Sequence, residues 1–199
     1  SRYNFNWNGK WLRYGKWLAA PRSFELFSSP RIIVREIPNR SNPAHQINAT
    51  YIEDTYLNNR SNINILEKDK NFKLKYILAI LNSGLMTFYH LKKSVKSQRD
   101  LFPKITLNDL REFPIKKISV EKQKELIEGA DNMQCVIKEM HEIRSKFLRR
   151  VNINLQVEHT KKIVGFAELS FEEFHNELKN QNIRLTLDQQ DEWEDYFDK

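Results

Sequence analysis

Hydrophobic and polar positions alternate with different periods along the chain, and each change of period predicts a different kind of element. Residues Arg31 to Ile37 are β-branched and lie between Pro30 and Pro38, which predicts a strand. Gln46 to Ile52 and Asn62 to Leu66 are weaker strand candidates, separated by the polar stretches Asn39 to Asn42 and Asn58 to Asn62. From Leu74 to Leu91 the apolar positions Ile77, Ile80, Leu81, Leu85 and Phe88 recur every three or four residues, predicting helix. Gly84 interrupts that run. A polar, basic loop follows from Lys92 to Arg99, then Phe102 to Ile105, a short helix starting at Thr106 or Asn108, and Phe113-Pro114-Ile115.

A second periodic stretch, from about Ser119 to Val151, predicts one long helix. Leu126, Ala130, Met133, Ile137, Met140, Phe147 and Val151 fall at alternating four- and three-residue steps, with Arg144 at the single polar position. This approaches the 3.5-residue repeat of helices that pair along their length. About 32 residues would span about 48 Å. The helix then serves as a strut or partner-binding element, or packs within its own chain. Beyond it, Ser170-x-x-Glu173 and Thr186-x-x-Gln189 match the capping box. Phe171, Phe174 and Leu178, then Trp193, Tyr196 and Phe197, give two short helices their apolar faces. The predicted class is α+β: a mixed α/β domain over residues 1–117, a long coiled-coil-like helix over 118–151, and a small helical C-terminal cap over 152–199.

Charge sharpens that division. Of 199 residues, 40% are hydrophobic and 30% charged, enough apolar material for a core. The formal charge of +7 is unevenly spread. Residues 1–117 hold 21 basic against 9 acidic side chains, a net +12; residues 118–150 hold 7 against 6; residues 151–199 hold 5 against 11, a net −6. A basic block joined to an acidic one points to an anionic ligand on one part only. No apolar run approaches the roughly 18 residues of a membrane span, and the first residues have no leader-like apolar stretch. The expectation is a cytoplasmic piece of a longer protein, with no membrane partner.

Candidate catalytic chemistry is sparse. Cys135 is the single cysteine, lies in helical pattern beside Val136, and is expected to be a buried structural thiol. The histidines at 45, 90, 141, 159 and 175 show no metal-ligand spacing. None of the five glycines forms a phosphate-cradling loop. Asn42-Pro43 is followed by Ala44 and His45, not by the second proline and aromatic with which amino-methyltransferases grip a flipped base. Glu177 and Lys179 alone have the acid-x-lysine spacing of metal-dependent nucleases, and they fall on a predicted surface helix. No catalytic centre and no metal site are expected. Trp7, Trp11, Tyr14 and Trp17 cluster with Lys10, Arg13 and Lys16. Such aromatics either stack on nucleotides or form the core of an irregular entry segment, with core the favoured reading.

Several strings in order resemble the TaqI-like C-terminal specificity domain of adenine-specific DNA methyltransferases and type IIG restriction enzymes. They are Pro30 to Arg35, the helix Ile77 to Ser83 with Phe88-Tyr89, Phe102 to Ile105, and Phe113-Pro114-Ile115. The acidic ending from Leu185 to Phe197 is similar to the tail of many such enzymes. The resemblance implies a target-recognition domain that binds double-stranded DNA and positions a methyltransferase domain lying upstream in the same polypeptide. S-adenosylmethionine and magnesium would belong to those upstream parts, and no cofactor to this one. Asn82-Ser83, taken as mid-helix, is expected to be structural.

On that reading the phosphate-contacting candidates are Lys92, Lys93, Lys96 and Lys104, with Arg13 and Lys16 as second choices. Candidates for reading base edges are Arg40, Asn42, Asn59, Arg60, Gln98 and Arg99, because asparagine and glutamine suit adenine and arginine suits guanine. The alternative is a helical protein-interaction or dimerisation module whose basic charge is incidental. An RNA-binding domain and an unrecognised nuclease are more distant alternatives; no aromatic RNP string or Gly-x-x-Gly clamp is present.

Overall fold

The computed structural model describes residues 2–5, 9–39, 41–94, 103–157 and 159–197. The chain is α+β and divides into two compact units, residues 1–137 and 138–199. In the first, a one-turn helix α1 (Glu25–Ser28) leads into a three-stranded antiparallel sheet of β1 (Arg31–Arg35), β2 (Ala49–Ile52) and β3 (Asn62–Leu66), in the order β2-β1-β3. The register pairs Ile32 with Tyr51 and Ile65, and Val34 with Ala49 and Ile63. Cross-strand partners share a face, and this face joins the core formed with Leu74, Leu78, Leu81, Met86, Ile105 and Phe113. All three strands lie where expected, with β1 ending at Arg35 and β2 beginning at Ala49.

The opposite face of β1 carries Arg31, which is fully buried. Its guanidinium donates to the carbonyls of Ser29 (3.0 Å), Asp54 (3.2 Å) and Tyr56 (2.8 Å). A cation is tolerated there because its donors meet fixed carbonyl dipoles. The bonds tie the chain after β2 back to the start of β1. Burial lowers the pKa of this arginine.

The predicted helix from Leu74 to Leu91 is two helices, α2 (Leu74–Leu81) and α3 (Gly84–Lys93). Asn82 and Ser83 form the junction and are not mid-helix. Ser83 caps α3, its hydroxyl accepting the Met86 N–H at 3.1 Å. Asn82 is buried and turns its amide onto β2, the edge strand: Oδ1 accepts the Ala49 N–H and Nδ2 donates to the Ala49 carbonyl, both at 3.0 Å. A side-chain amide thus takes the place of a neighbouring strand. The same carbonyl accepts the Tyr3 N–H at 2.8 Å. Gly84 has no room for a side chain without crowding, since a Cβ would lie 3.3 Å from the Ala44 carbonyl oxygen.

Helix α4 (Leu107–Glu112) starts in a full capping box between Thr106 and Asp109. The long helix α5 (Val120–Leu155) runs four residues beyond the expected end. Its first half is fixed by amides. Gln123, fully buried, accepts the Lys73 N–H at 3.1 Å and donates to the carbonyls of Asn71 (2.6 Å) and Ile118 (3.1 Å). Gln134 donates to the Tyr51 carbonyl at 3.0 Å, and Asp131 pairs with Lys75 at 2.7 Å. The packing face therefore runs through Gln123, Ala130 and Gln134. Leu126, Met133 and Met140, which share the apolar stripe of the sequence with Ala130, are exposed. Cys135 is also exposed, contrary to expectation, because it follows Gln134 by about 100° around the helix.

In the second unit, Phe147, Val151 and Leu155 of α5 form a core with Ile163 of α6 (Lys161–Val164), Phe174 and Leu178 of α7 (Phe171–Asn180), and Trp193 of α8 (Leu187–Phe197). Phe147 stacks on Phe166 with centroids 3.7 Å apart and meets the Trp193 ring edge-on at 5.9 Å. Both expected capping boxes form: Ser170 with Glu173, and Thr186 with Gln189.

Two predictions follow from these contacts. Asn82→Leu leaves the edge amide of Ala49 unpaired and should lower unfolding free energy by about 1–3 kcal/mol, read as a lower urea midpoint at unchanged slope. Arg31→Met, which strands three carbonyls, should cost at least as much. His90 is buried with its ring edge-on to Phe113 at 5.9 Å. Burial lowers its pKa from 6.5, while Asp109 opposes this weakly. A base with a depressed folded pKa binds its proton in the unfolded state first, so stability falls as pH drops below about 6.5. Urea titrations from pH 7.5 to 5 should show this loss, reduced in His90→Gln.

Candidate nucleic-acid interface

In the first unit an open groove of about 810 Å³ lies between the irregular stretch 12–22 and the stretch 57–64. Arg13, Arg22, Asn59 and Arg60 all line it, with Glu36 and Leu107 at one side. Three of the four are residues that the sequence singles out, brought together from opposite ends of a 47-residue separation. Arg22 was not anticipated, because it sits after Pro21 in a stretch with no periodicity to place it.

Each wall has a local cause. The Asn58–Asn62 turn is closed by asparagine side chains: Asn59 Oδ1 accepts the Ser61 N–H and Asn62 Nδ2, both at 3.1 Å. Asn58 Nδ2 donates to the carbonyls of Asn59 (3.3 Å) and Asn62 (3.4 Å). Short polar side chains that bond to nearby backbone favour such turns, and this one presents Arg60, exposed, at its tip. On the other wall the Tyr14 hydroxyl donates to the Arg22 carbonyl, and the Tyr14 ring meets Phe24 at 5.5 Å and Phe27 at 6.0 Å. The Arg13 guanidinium lies 5.1 Å from the centre of the Trp17 ring, within cation–π range. Trp17 is 65% exposed and Trp11 87%, so these two are not core residues. An irregular entry segment has no second layer to cover such large rings; Tyr14, with Phe24 and Phe27 beside it, is the half-buried one. Trp7 lies outside the described residues.

Glu36 is the acidic residue of the groove, and it pairs with Lys104 at 3.6 Å. Lys104 is exposed and Glu36 half-buried, so solvent still screens the pair, which is worth about 1 kcal/mol and leaves Lys104 available to another anion.

The remaining candidates are not in the groove. Lys92 and Lys93 form the exposed end of α3, Lys92 Nζ lying 5.8 Å from the centre of the exposed Phe88 ring. Asn42 stands in the turn before His45, which reaches the Asn82 carbonyl at the opposite end of α3. Lys16 is exposed and does not line the groove. Arg40, Lys96, Gln98 and Arg99 lie outside the described residues.

Among the described residues no three His, Cys, Asp or Glu side chains are grouped to hold a metal. Glu177 accepts the Thr160 hydroxyl at 2.8 Å and pairs with Lys162 at 3.6 Å, so it serves the packing of the second unit. Among the described residues no helix is long and apolar enough to cross a membrane.

Residues 1–115, which include the sheet and the arginine-lined groove, match the family described as the TaqI-like C-terminal specificity domain. The chain belongs to that family. Residues 119–199 match a family described as a domain of unknown function (DUF8810). A protein of Methanocaldococcus jannaschii, named as a type II restriction enzyme and methyltransferase, is 37% identical over 93 residues. That stretch is 45% of this chain and 8% of the relative, so the chain spans only a small part of it. No solved structure matches the chain.

The two neighbours in the turn should separate by role. Asn59→Ala removes two turn bonds and should lower stability by about 1 kcal/mol. Arg60→Ala should change it by less than about 0.5 kcal/mol. Melting temperatures of the two variants measure the difference.

Proposed function

We propose that the chain is the specificity part of a restriction–modification enzyme, which recognises a sequence in double-stranded DNA and positions a methyltransferase domain upstream in the same polypeptide. The observation that carries this reading is the groove of the family-matching unit, which Arg13, Arg22 and Arg60 all line and whose carboxylate among the described residues, Glu36, is engaged by Lys104. Cleavage and methylation would belong to other parts of the enzyme, with S-adenosylmethionine and magnesium bound there.

In this reading Lys92, Lys93 and Lys104 neutralise phosphates and set register. Lys16 and Lys96 would add to that set. Arg60 on its rigid turn, with Arg22 and Arg13 opposite, presents guanidinium forks that suit the O6 and N7 acceptors of guanine. Asn42, Gln98, Arg99 and Arg40 remain proposed readers. Asn59 is assigned to hold the turn that aims Arg60.

Fluorescence anisotropy with a duplex selected from a randomised pool, and with its scrambled counterpart, tests this. Log affinity should fall with log salt at a slope near −0.9 per phosphate contacted. Lys93→Ala should weaken both duplexes alike and flatten the slope by about one contact. Arg60→Ala should act mainly on the selected duplex, by about 1–3 kcal/mol. Equal effects of both variants on both duplexes would overturn the division of roles, and salt-independent binding would overturn the reading itself.

A second reading rests on Leu126, Met133 and Val136, which α5 leaves exposed. Apolar side chains at that spacing suit helix pairing with another protein. Sedimentation at two concentrations, with and without duplex, separates the two: a dimer indifferent to DNA favours pairing.

A further inference from the structure

The acidic C-terminal segment contains one place where cations gather. His175 and Lys179 stand one turn apart on α7, and together with Asn182, Arg184, Leu185 and Gln190 they line an open cavity of about 720 Å³. Among the described residues no carboxylate lines it, although residues 151–199 hold 11 acidic side chains against 5 basic ones. Among the described residues neither Lys179 nor Arg184 has a carboxylate within ion-pair distance, whereas Lys162 is paired with Glu177. Two uncompensated cations on a carboxylate-free cavity in an acid-rich segment are an arrangement that an anion would stabilise.

The backbone around the cavity favours the same ligand. A helix C-terminus ordinarily presents carbonyls that repel anions. At the end of α7 two of them are taken: Gln181 and Ile183 donate to the Leu178 carbonyl at 3.0 Å, and Asn182 donates to that of Lys179 at 2.9 Å. Asn182 adopts the left-handed conformation (φ 62°), the usual way to turn a chain off a helix end. Arg184 follows two residues later. Gln190, in the first turn of α8, is steadied by its bond from Nε2 to the Leu185 carbonyl at 3.1 Å, and buried Leu185 lies between. Burial, and then the charge of Lys179, lower the pKa of His175.

We propose that this cavity is a binding site for a phosphate group. Lys179 supplies a point charge, Arg184 a planar fork that matches phosphate oxygens, and Asn182 a neutral donor. The volume admits a phosphate together with part of the molecule that bears it. The site would give a first activity to the segment whose family has none assigned, and it does not depend on the arginine groove of the other unit. The phosphate could come from a free phosphorylated molecule or from a DNA backbone.

Amide NMR of the isotopically labelled 199-residue chain tests this, titrating inorganic phosphate, sodium chloride at matched ionic strength, and a short duplex DNA. The backbone and side-chain amides of Asn182 and Gln190 should shift saturably with phosphate and not with chloride. The double variant K179Q/R184Q should weaken that response at least tenfold, and the charge-retaining K179R/R184K should keep it. Both side chains are exposed, so the melting temperature of each variant should match that of the parent chain. Shifts with duplex that vanish in K179Q/R184Q assign the phosphate to a DNA backbone; shifts with phosphate alone assign a free one. Equal shifts with chloride, no shifts with either phosphate source, or a K179Q/R184Q chain that titrates like the parent would overturn the proposal. Because Arg13 and Arg60 are untouched in these variants, a failure here leaves DNA binding through the groove to be judged separately.

Discussion

The first unit depends on the amide of Asn82 sitting on the backbone of Ala49. A small sheet has two edges, and an uncovered edge offers unpaired N–H and C=O groups to any passing strand. Here the edge strand β2 meets the end of α2, and one side chain supplies both a donor and an acceptor to the exposed peptide. Because that side chain must point at the sheet, the helical run stops and restarts, with Ser83 capping the new helix. The junction then organises what surrounds it. Its carbonyl receives Arg2 from the N-terminal stretch and lies against the His45 ring. Thr87, one turn into α3, accepts the Gln46 N–H. The loop bearing Asn42 is therefore placed by the same break that ends α2.

The structure shows which signals in a sequence carry a fold. β1 was legible because β-branched residues between two prolines have few alternatives, and the helix starts at Ser170 and Thr186 were legible because capping is local chemistry. Buried polar anchors were not. Arg31, Gln123 and Gln134 look like surface residues in any window of the sequence, yet each has a partner far along the chain, at separations from 23 to 83 positions. The same blindness left the fate of the α5 stripe open: hydrophobic spacing locates an apolar stripe but not the side on which the helix is held. On α5 that side is chosen by two glutamines in the first half, so Leu126 and Met133 stay exposed while Ala130, Phe147 and Val151 are buried.

The candidate interface was partly legible for a related reason. Arginine and asparagine in polar stretches identify a set of residues, and three members of the set meet in one groove. Which asparagine holds the turn and which arginine it aims is a matter of backbone geometry. Asn58, Asn59 and Asn62 bond to one another and to the local backbone, leaving Arg60 as the outward member. A turn stiffened by its own side chains loses less entropy when its tip is immobilised by a partner. Rigid turns are thus a sensible place for a reading side chain, and on the proposed reading Asn59 belongs to its mount.

Glu36 gives the groove its selectivity on the proposed reading. Three arginines alone would hold any phosphate backbone, and affinity of that kind does not distinguish one sequence from another. A carboxylate among them opposes phosphate while leaving hydrogen bonding to base edges open. Its partner Lys104 is exposed and weakly held, so it can turn to a phosphate at the rim only by leaving Glu36 to the arginines. The exchange lowers non-specific affinity more than it lowers binding where Arg60 or Arg22 finds acceptors of the right geometry. Discrimination is a difference between affinities, and a repulsive group widens it as effectively as a new contact.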